Sequence, residues 1–179
     1  MGWVSPDGFL DPSSGWTTEE NAYDDNEGTL ANNVWSNWGD YLELTLSSSI
    51  SCDKVQIYIA DVSPSPPYNR FNPDIDIDVF WGGSYHNIFS GTVTKDTWVE
   101  KAIGSIETVD KAQVKSNTVQ YHTRLYEFDF WEVEVVPPTY IPKVIMVQCS
   151  PMAKKNGIYR GLKNLWLPTP PVPKVIMVQ

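Results

Sequence analysis

From residue 41 onward apolar and polar side chains alternate, and a two-residue period specifies half-buried β-strands. Leu42, Leu44 and Leu46 alternate with Glu43 and Thr45. Val55, Ile57 and Ile59 alternate with Gln56 and Tyr58, and Ile75, Ile77 and Val79 with Asp76 and Asp78. Further strands are expected at 84–90, 97–103, 111–117 and 123–136. Gly82-Gly83 separates two such runs by two residues, the signature of a tight hairpin. Seven or eight short strands with regular turn signals predict an antiparallel β-sandwich. Segment 123–136 carries apolar residues on both faces: Phe128 and Phe130 share one, and Trp131, Val133 and Val135 take the other. Either a bulge near Phe130 changes its phase, or both faces are covered because the strand is central. We favour the second. The first 40 residues are rich in Gly, Asn, Asp, Ser and Trp, and read as loops with one helical turn near residues 19–23.

Charge divides the chain. All 22 acidic residues lie in 1–136 beside seven bases, a net −15, whereas 137–179 holds six bases and no acid. Eight of the 14 prolines also fall in that tail, so we expect a domain over 1–136 and a basic, Pro-rich extension over 137–179. The acidic balance argues against nucleic acid, whose phosphates need a basic face. The longest aliphatic run is Val144-Ile145-Met146-Val147, too short to span a membrane. No secretory signal is visible at the start. Cys52 and Cys149 are too few for a disulfide framework, and buried thiols are the expectation.

The extension repeats itself. Pro142-Lys143-Val144-Ile145-Met146-Val147-Gln148 recurs unchanged as Pro173-Lys174-Val175-Ile176-Met177-Val178-Gln179. Each copy is β-branched and follows prolines, and therefore reads as an extended strand. Backbone addition to an exposed sheet edge is the binding mode such a strand suits. Two copies suggest two docking sites on neighbouring subunits, in a homo-oligomer or with other structural subunits.

Asn21-Ala22-Tyr23-Asp24-Asp25-Asn26-Glu27-Gly28-Thr29, followed by Trp35-Ser36, resembles the signature loop of discoidin-like domains. These are the factor V/VIII C-type, galactose-binding-like jelly rolls. Tyr41-Leu42-Glu43-Leu44 and Val55-Gln56-Ile57-Tyr58 are similar to that fold's early strands, and Arg124-Leu125-Tyr126-Glu127-Phe128 to its last. The resemblance spans about residues 10–136 and implies an antiparallel jelly-roll β-sandwich. It also implies a calcium ion held by Asp24 and Glu127 through carboxylates, with Asn21 and Asn26 through backbone oxygens. The alternative for these residues is turn hydrogen bonds at Asp24 and Asn26 and an ion pair between Glu127 and a base. Relatives bind sugars or lipid headgroups by loops at one end of the sandwich. The rings and polar groups suited to a glycan are Trp16, Trp38, Tyr68, Arg70, Trp81, Tyr85 and His86. The acidic body disfavours anionic membranes.

No HExxH, CxxC, GxSxG or P-loop pattern occurs, and the two histidines, His86 and His122, lie far apart. Asp76 and Asp78 share a strand face that reads as solvated. A non-catalytic protein is the expectation. The tail favours a structural or assembly subunit, of a virion (phage capsid decoration or fibre) or an extracellular filament. The competing reading is a calcium-dependent carbohydrate-binding module or lectin-like adhesion domain.

Overall fold

The structure, a computed structural model, describes residues 1–33, 41–116 and 121–135. The chain divides into two units, Met1–Pro138 and Thr139–Gln179. Trp38, Cys149 and the expected assembly residues Lys143, Val144, Ile145, Met146, Val147, Lys174, Val175, Ile176, Met177 and Val178 lie outside the described residues.

Among the described residues ten strands form in chain order: β1 (Gly2–Val4), β2 (Gly8–Leu10), β3 (Trp16–Thr17), β4 (Ala31–Asn33), β5 (Tyr41–Val62), β6 (Arg70–Phe71), β7 (Asp74–Trp81), β8 (Ser84–Thr92), β9 (Trp98–Ser116) and β10 (His122–Glu132). Every pairing is antiparallel, in the order β3-β4-β10-β5-β9-β7-β8, with β1 on β10 and both β2 and β6 on β5. This is the all-β sandwich of the sequence analysis.

Two strands build both layers. The start of β5 pairs with β2 and with the end of β9, which continues into β7 and β8. The end of β5 pairs with β10 and the start of β9. Between Thr45 and Ile50 β5 advances while β9 moves only from Lys111 to Val109. Between Cys52 and Lys54 the inequality reverses, as β9 runs from Glu107 to Ala102. These irregularities, the second with Gly104 at φ 99°, turn the paired strands from one layer into the other. The expected separate strands at 97–103 and 111–117 are accordingly one, and so are those around Leu42–Leu46 and Val55–Ile59. The reading of the first 40 residues as loops also needs correction. A 3-10 turn does form at Glu19–Ala22, but four short strands flank it. Strands of two or three residues are too short to display alternation.

Leu42, Leu44, Ile57, Ile59, Ile75, Ile77, Val79, Leu125, Phe128 and Phe130 are completely buried in one core. On the opposite phase Gln56, Tyr58 and Asp76 are half-exposed, while Glu43, Asp78 and Asp129 are covered by their neighbours. Gly82 (φ 61°) and Gly83 (φ 91°) close the β7–β8 hairpin, where Trp81 pairs with Ser84. Both alternatives weighed for the last strand occur together: β10 is central, between β4 and β5, and its register slips at Tyr126 and at Trp131.

Asp78 corrects the solvated-face reading. It is only 8% exposed, accepting from Asn87 Nδ2 at 2.8 Å and pairing with Lys115, because β8 and β9 flank β7 on both sides. At the end of the sandwich where β5, β9 and β10 meet, buried Thr123 donates to Asp61 at 2.7 Å and lies 2.8 Å from Ser116 Oγ. Replacing Thr123 by Val keeps the shape and strips both partners, so urea unfolding should register a loss of about 1–3 kcal/mol.

Candidate functional site

The glycan candidates do not converge on one place. Trp16 is corrected outright: at 2% exposure its ring belongs to the core and offers no face for stacking. The other described candidates fall toward opposite ends of β7, Tyr68 and Arg70 at one and Trp81, Tyr85 and His86 at the other, and its eight residues span about 23 Å.

At the hairpin end Trp81, Tyr85 and His86 satisfy one another and their neighbours. The His86 ring stacks on Trp81 at 3.9 Å and 16°, and its Nε2 lies 3.1 Å from Ser84 Oγ and 3.2 Å from the Trp81 carbonyl. Tyr85 packs edge-on against Phe80 at 5.1 Å and donates its hydroxyl to Glu43. Gln113 also donates to Glu43, at 3.1 Å, and Lys111 lies over the Phe80 and Tyr85 rings. Burial, reinforced by the bonded Glu43 carboxylate, pushes the Tyr85 hydroxyl well above its ordinary range. These groups already hold one another, although Trp81, Tyr85 and His86 stay half-exposed.

At the other end the segments 63–69, 72–73 and 93–97 cluster around β6. Ser63 N–H bonds the Asn69 carbonyl at 2.9 Å, and Lys95 N–H bonds Asn72 Oδ1 at 3.1 Å. Lys95 Nζ donates to the Arg70 carbonyl at 2.5 Å. Asp96 takes φ 58° as its N–H reaches the Ile59 carbonyl, and this turn presents its carboxylate to the Arg70 guanidinium. The guanidinium lies 4.9 Å from the centre of the Tyr126 ring. Tyr126 meets Tyr58 edge-on at 5.4 Å, and Tyr58 leans on Trp98 at 5.8 Å. Trp98 Nε1 donates to Glu27 at 2.9 Å. Burial, then the Asp96 and Glu27 charges, raise the Tyr58 hydroxyl above its ordinary value. Tyr58 and Trp98 remain half-exposed, and Tyr68 is 60% exposed. Arg70 Nε has no hydrogen-bond acceptor among the described residues. The result is an aromatic slab bordered by a guanidinium held in place on two sides.

Arg70 and Tyr68 were expected on residue type. Tyr58, Trp98, Tyr126 and Asp96 were missed. Tyr58 occupies the outward phase of a strand whose other face is core, so the missed signal was a large ring where water-facing polar residues are usual.

A separate acidic pocket lies where residues 24–29 cover β10. Asn26 N–H bonds Glu127 Oε1 at 2.5 Å and Asp24 Oδ1 at 3.1 Å, and Thr29 Oγ1 donates to Asp24 at 2.8 Å. Gly28 N–H bonds Asn26 Oδ1 at 3.0 Å, whereas Asn21 donates its side-chain amide to the Leu30 carbonyl at 3.2 Å. Ser5 Oγ lies 2.8 Å from both Asp25 and Asp129. The turn hydrogen bonds of the second reading are therefore present, but Glu127 has no basic partner among the described residues. It is 2% exposed, and its carboxyl is raised to about 7 by burial, partly offset by the Asn26 N–H, with Asp24 and Asp129 adding to the rise. Among the described residues no three acidic, histidine or cysteine side chains converge with metal-ligand spacing. Cys52 is free and buried, its thiol pushed up to about 11 by burial, which makes it unreactive. Among the described residues no helix is long and apolar enough to cross a membrane.

No family model matches the sequence, and no curated protein does. Solved structures match the fold. The family 32 carbohydrate-binding module of Clostridium perfringens NanJ, solved with galactose, superposes with a TM-score of 0.55 at 13% identity, covering 73% of this chain and 98% of its own. A family 32 module from a Clostridium perfringens family 31 glycoside hydrolase gives 0.53 at 11%, covering 72% and 96%. Chitosan-binding module 1 from a Paenibacillus chitosanase/glucanase gives 0.52 at 12%, also covering 72% and 96%. The fold is thus the discoidin-like, galactose-binding-like β-sandwich.

Proposed function

We propose that this chain is a non-catalytic carbohydrate-binding module whose glycan site is the loop cluster around β6. The carrying observation is the Arg70 guanidinium, fixed by Asp96 and Tyr126 beside the half-exposed Tyr58 and Trp98 rings. A pyranose presents an apolar face to a ring and a rim of hydroxyls to planar donors and carboxylates, and Trp98, Tyr68, Arg70 and Asp96 supply both. Support for this reading over a virion structural role comes from the structural neighbours, among them a family 32 carbohydrate-binding module in complex with galactose and a chitosan-binding module.

Calcium has a structural place in this reading. Exposed Asp24 stands beside buried Glu127 with no base at either among the described residues, a carboxylate pair that a divalent cation would complete with backbone oxygens of the 21–26 loop. The ion would supply positive charge there. It would tie the 24–29 loop, whose Glu27 accepts from Trp98 Nε1, to β10.

A glycan array followed by calorimetry on the best galactose-, N-acetylgalactosamine-, glucosamine- or uronate-bearing oligosaccharide tests the site. Trp98→Ala and Arg70→Ala should each weaken binding by about tenfold or more, at about 1.4 kcal/mol per tenfold, and Trp81→Ala should leave it unchanged. Loss of binding in Trp81→Ala with retention in Arg70→Ala would move the site to the hairpin end.

A further inference from the structure

We propose that β8 is a docking edge for the Pro-Lys-Val-Ile-Met-Val-Gln heptapeptide of a second copy of this chain. The proposal is independent of the glycan site. Among the described residues β8 pairs with β7 alone and ends the sheet. The opposite edge, β3, is two residues long, whereas β8 runs for nine. Long sheet edges are ordinarily blunted by charge or proline, because unpaired N–H and C=O groups template further strands. β8 carries neither: it reads Ser84-Tyr85-His86-Asn87-Ile88-Phe89-Ser90-Gly91-Thr92, and none of its residues is fully buried. An uncharged edge on a domain of net charge −15 marks a place where pairing is not prevented.

The occupant is argued from the chain itself. The repeated heptapeptide is β-branched and acid-free, and spans about 23 Å when extended, within the length of β8. Every pairing in this sheet is antiparallel, and antiparallel addition places Lys143 or Lys174, near the start of the heptapeptide, beside the Ser90–Thr92 end of β8. One strand further in, Asp76 faces Ser90 and Asp74 faces Thr92. Asp76 Oδ1 is buried without a hydrogen-bond partner among the described residues. Two strand spacings are about 9.5 Å, a gap that an extended lysine and an aspartate bridge across a residue as small as Ser90. Chemistry and register therefore agree at the same end of the strand.

Each chain offers one such edge and two heptapeptides, so docking is heterologous and links chains into larger assemblies. The residues between the copies, 149–172, reach up to roughly 80 Å when extended. That is enough to serve two different neighbours.

Sedimentation of the full chain at low salt and tens of micromolar should show species above the monomer, shifting toward monomer as salt screens the Lys–Asp pair. Three variants test the contact. Ser90→Lys, and the pair Ile145→Lys with Ile176→Lys, should each return the protein to monomer with its circular dichroism unchanged. Asp76→Lys should weaken association by about tenfold, and adding Lys143→Asp with Lys174→Asp should restore it. A monomer under all conditions overturns the proposal, as does assembly indifferent to Ser90→Lys. So does concentration-independent protection of the β8 amides in a monomer, which would mean that each tail covers its own domain.

Discussion

Above pH 7 and in chelator, Glu127→Gln is expected to stabilise the domain by about 3 kcal/mol. Glu127 is held at about 7 in the folded protein against an ordinary value of 4.5, mainly because it is buried, and that displacement corresponds to about 3 kcal/mol. The sign follows from proton binding. Between the two values the folded state holds more protons than the unfolded one, so the contribution of Glu127 to metal-free stability is fully present below about 4.5 and is lost as pH rises through about 7. Gln retains the acceptor for Asn26 N–H and removes the charge. Calcium should reverse the ranking: bound to the Asp24 and Glu127 carboxylates it should raise the unfolding midpoint of the native protein while leaving the Gln variant unmoved. Urea unfolding at pH 5 and pH 8, with chelator and with calcium, reads all four values. A native protein whose metal-free stability is flat across that interval would contradict the buried-carboxylate account, and one that ignores calcium would remove the ion from the proposal.

The second large effect lies in the core. Phe128→Ala should cost about 3–5 kcal/mol, because the ring is fully buried and meets Phe130 edge-on at 5.2 Å, leaving a cavity that neighbouring strands cannot close. Val135→Ala, on a residue 58% exposed, should change stability by no more than about 0.5 kcal/mol. The comparison also tests the phase of β10, since the slip at Tyr126 is what places Phe128 and Phe130 on the core side. Chemical denaturation of the two variants decides it.

Alternation made β7, the glycine hairpin and the buried phase of β5 and β10 legible in the sequence. It hid the continuity of β5 and β9, because the irregular pairings at Thr45–Ile50 and Cys52–Lys54 break the two-residue period where the strands change layer. The glycan site was half-legible. Arg70 and Tyr68 are conspicuous by type, but Tyr58, Trp98 and Tyr126 come together only through the pairing of β5 with β9 and β10. Trp81 and His86 show the converse, two residues well suited to a sugar that stack one face against each other. Glu127 was identified by resemblance. Its place beside Asp24 was implied with it, but not that no base reaches it among the described residues.

The layer-crossing strands also decide when this domain becomes a folded object. Since β5 and β9 each belong to both sheets, neither sheet can close before residues 98–116 have been made, and the central strand β10 comes later still. A chain emerging from the ribosome would carry Leu42, Leu44, Ile57 and Ile59 uncovered for most of its synthesis. Its folding is therefore late, governed by distant contacts, and slow for its size. A fragment ending before β9 should expose that apolar surface permanently, so it should be recovered as aggregate instead of a half-sandwich.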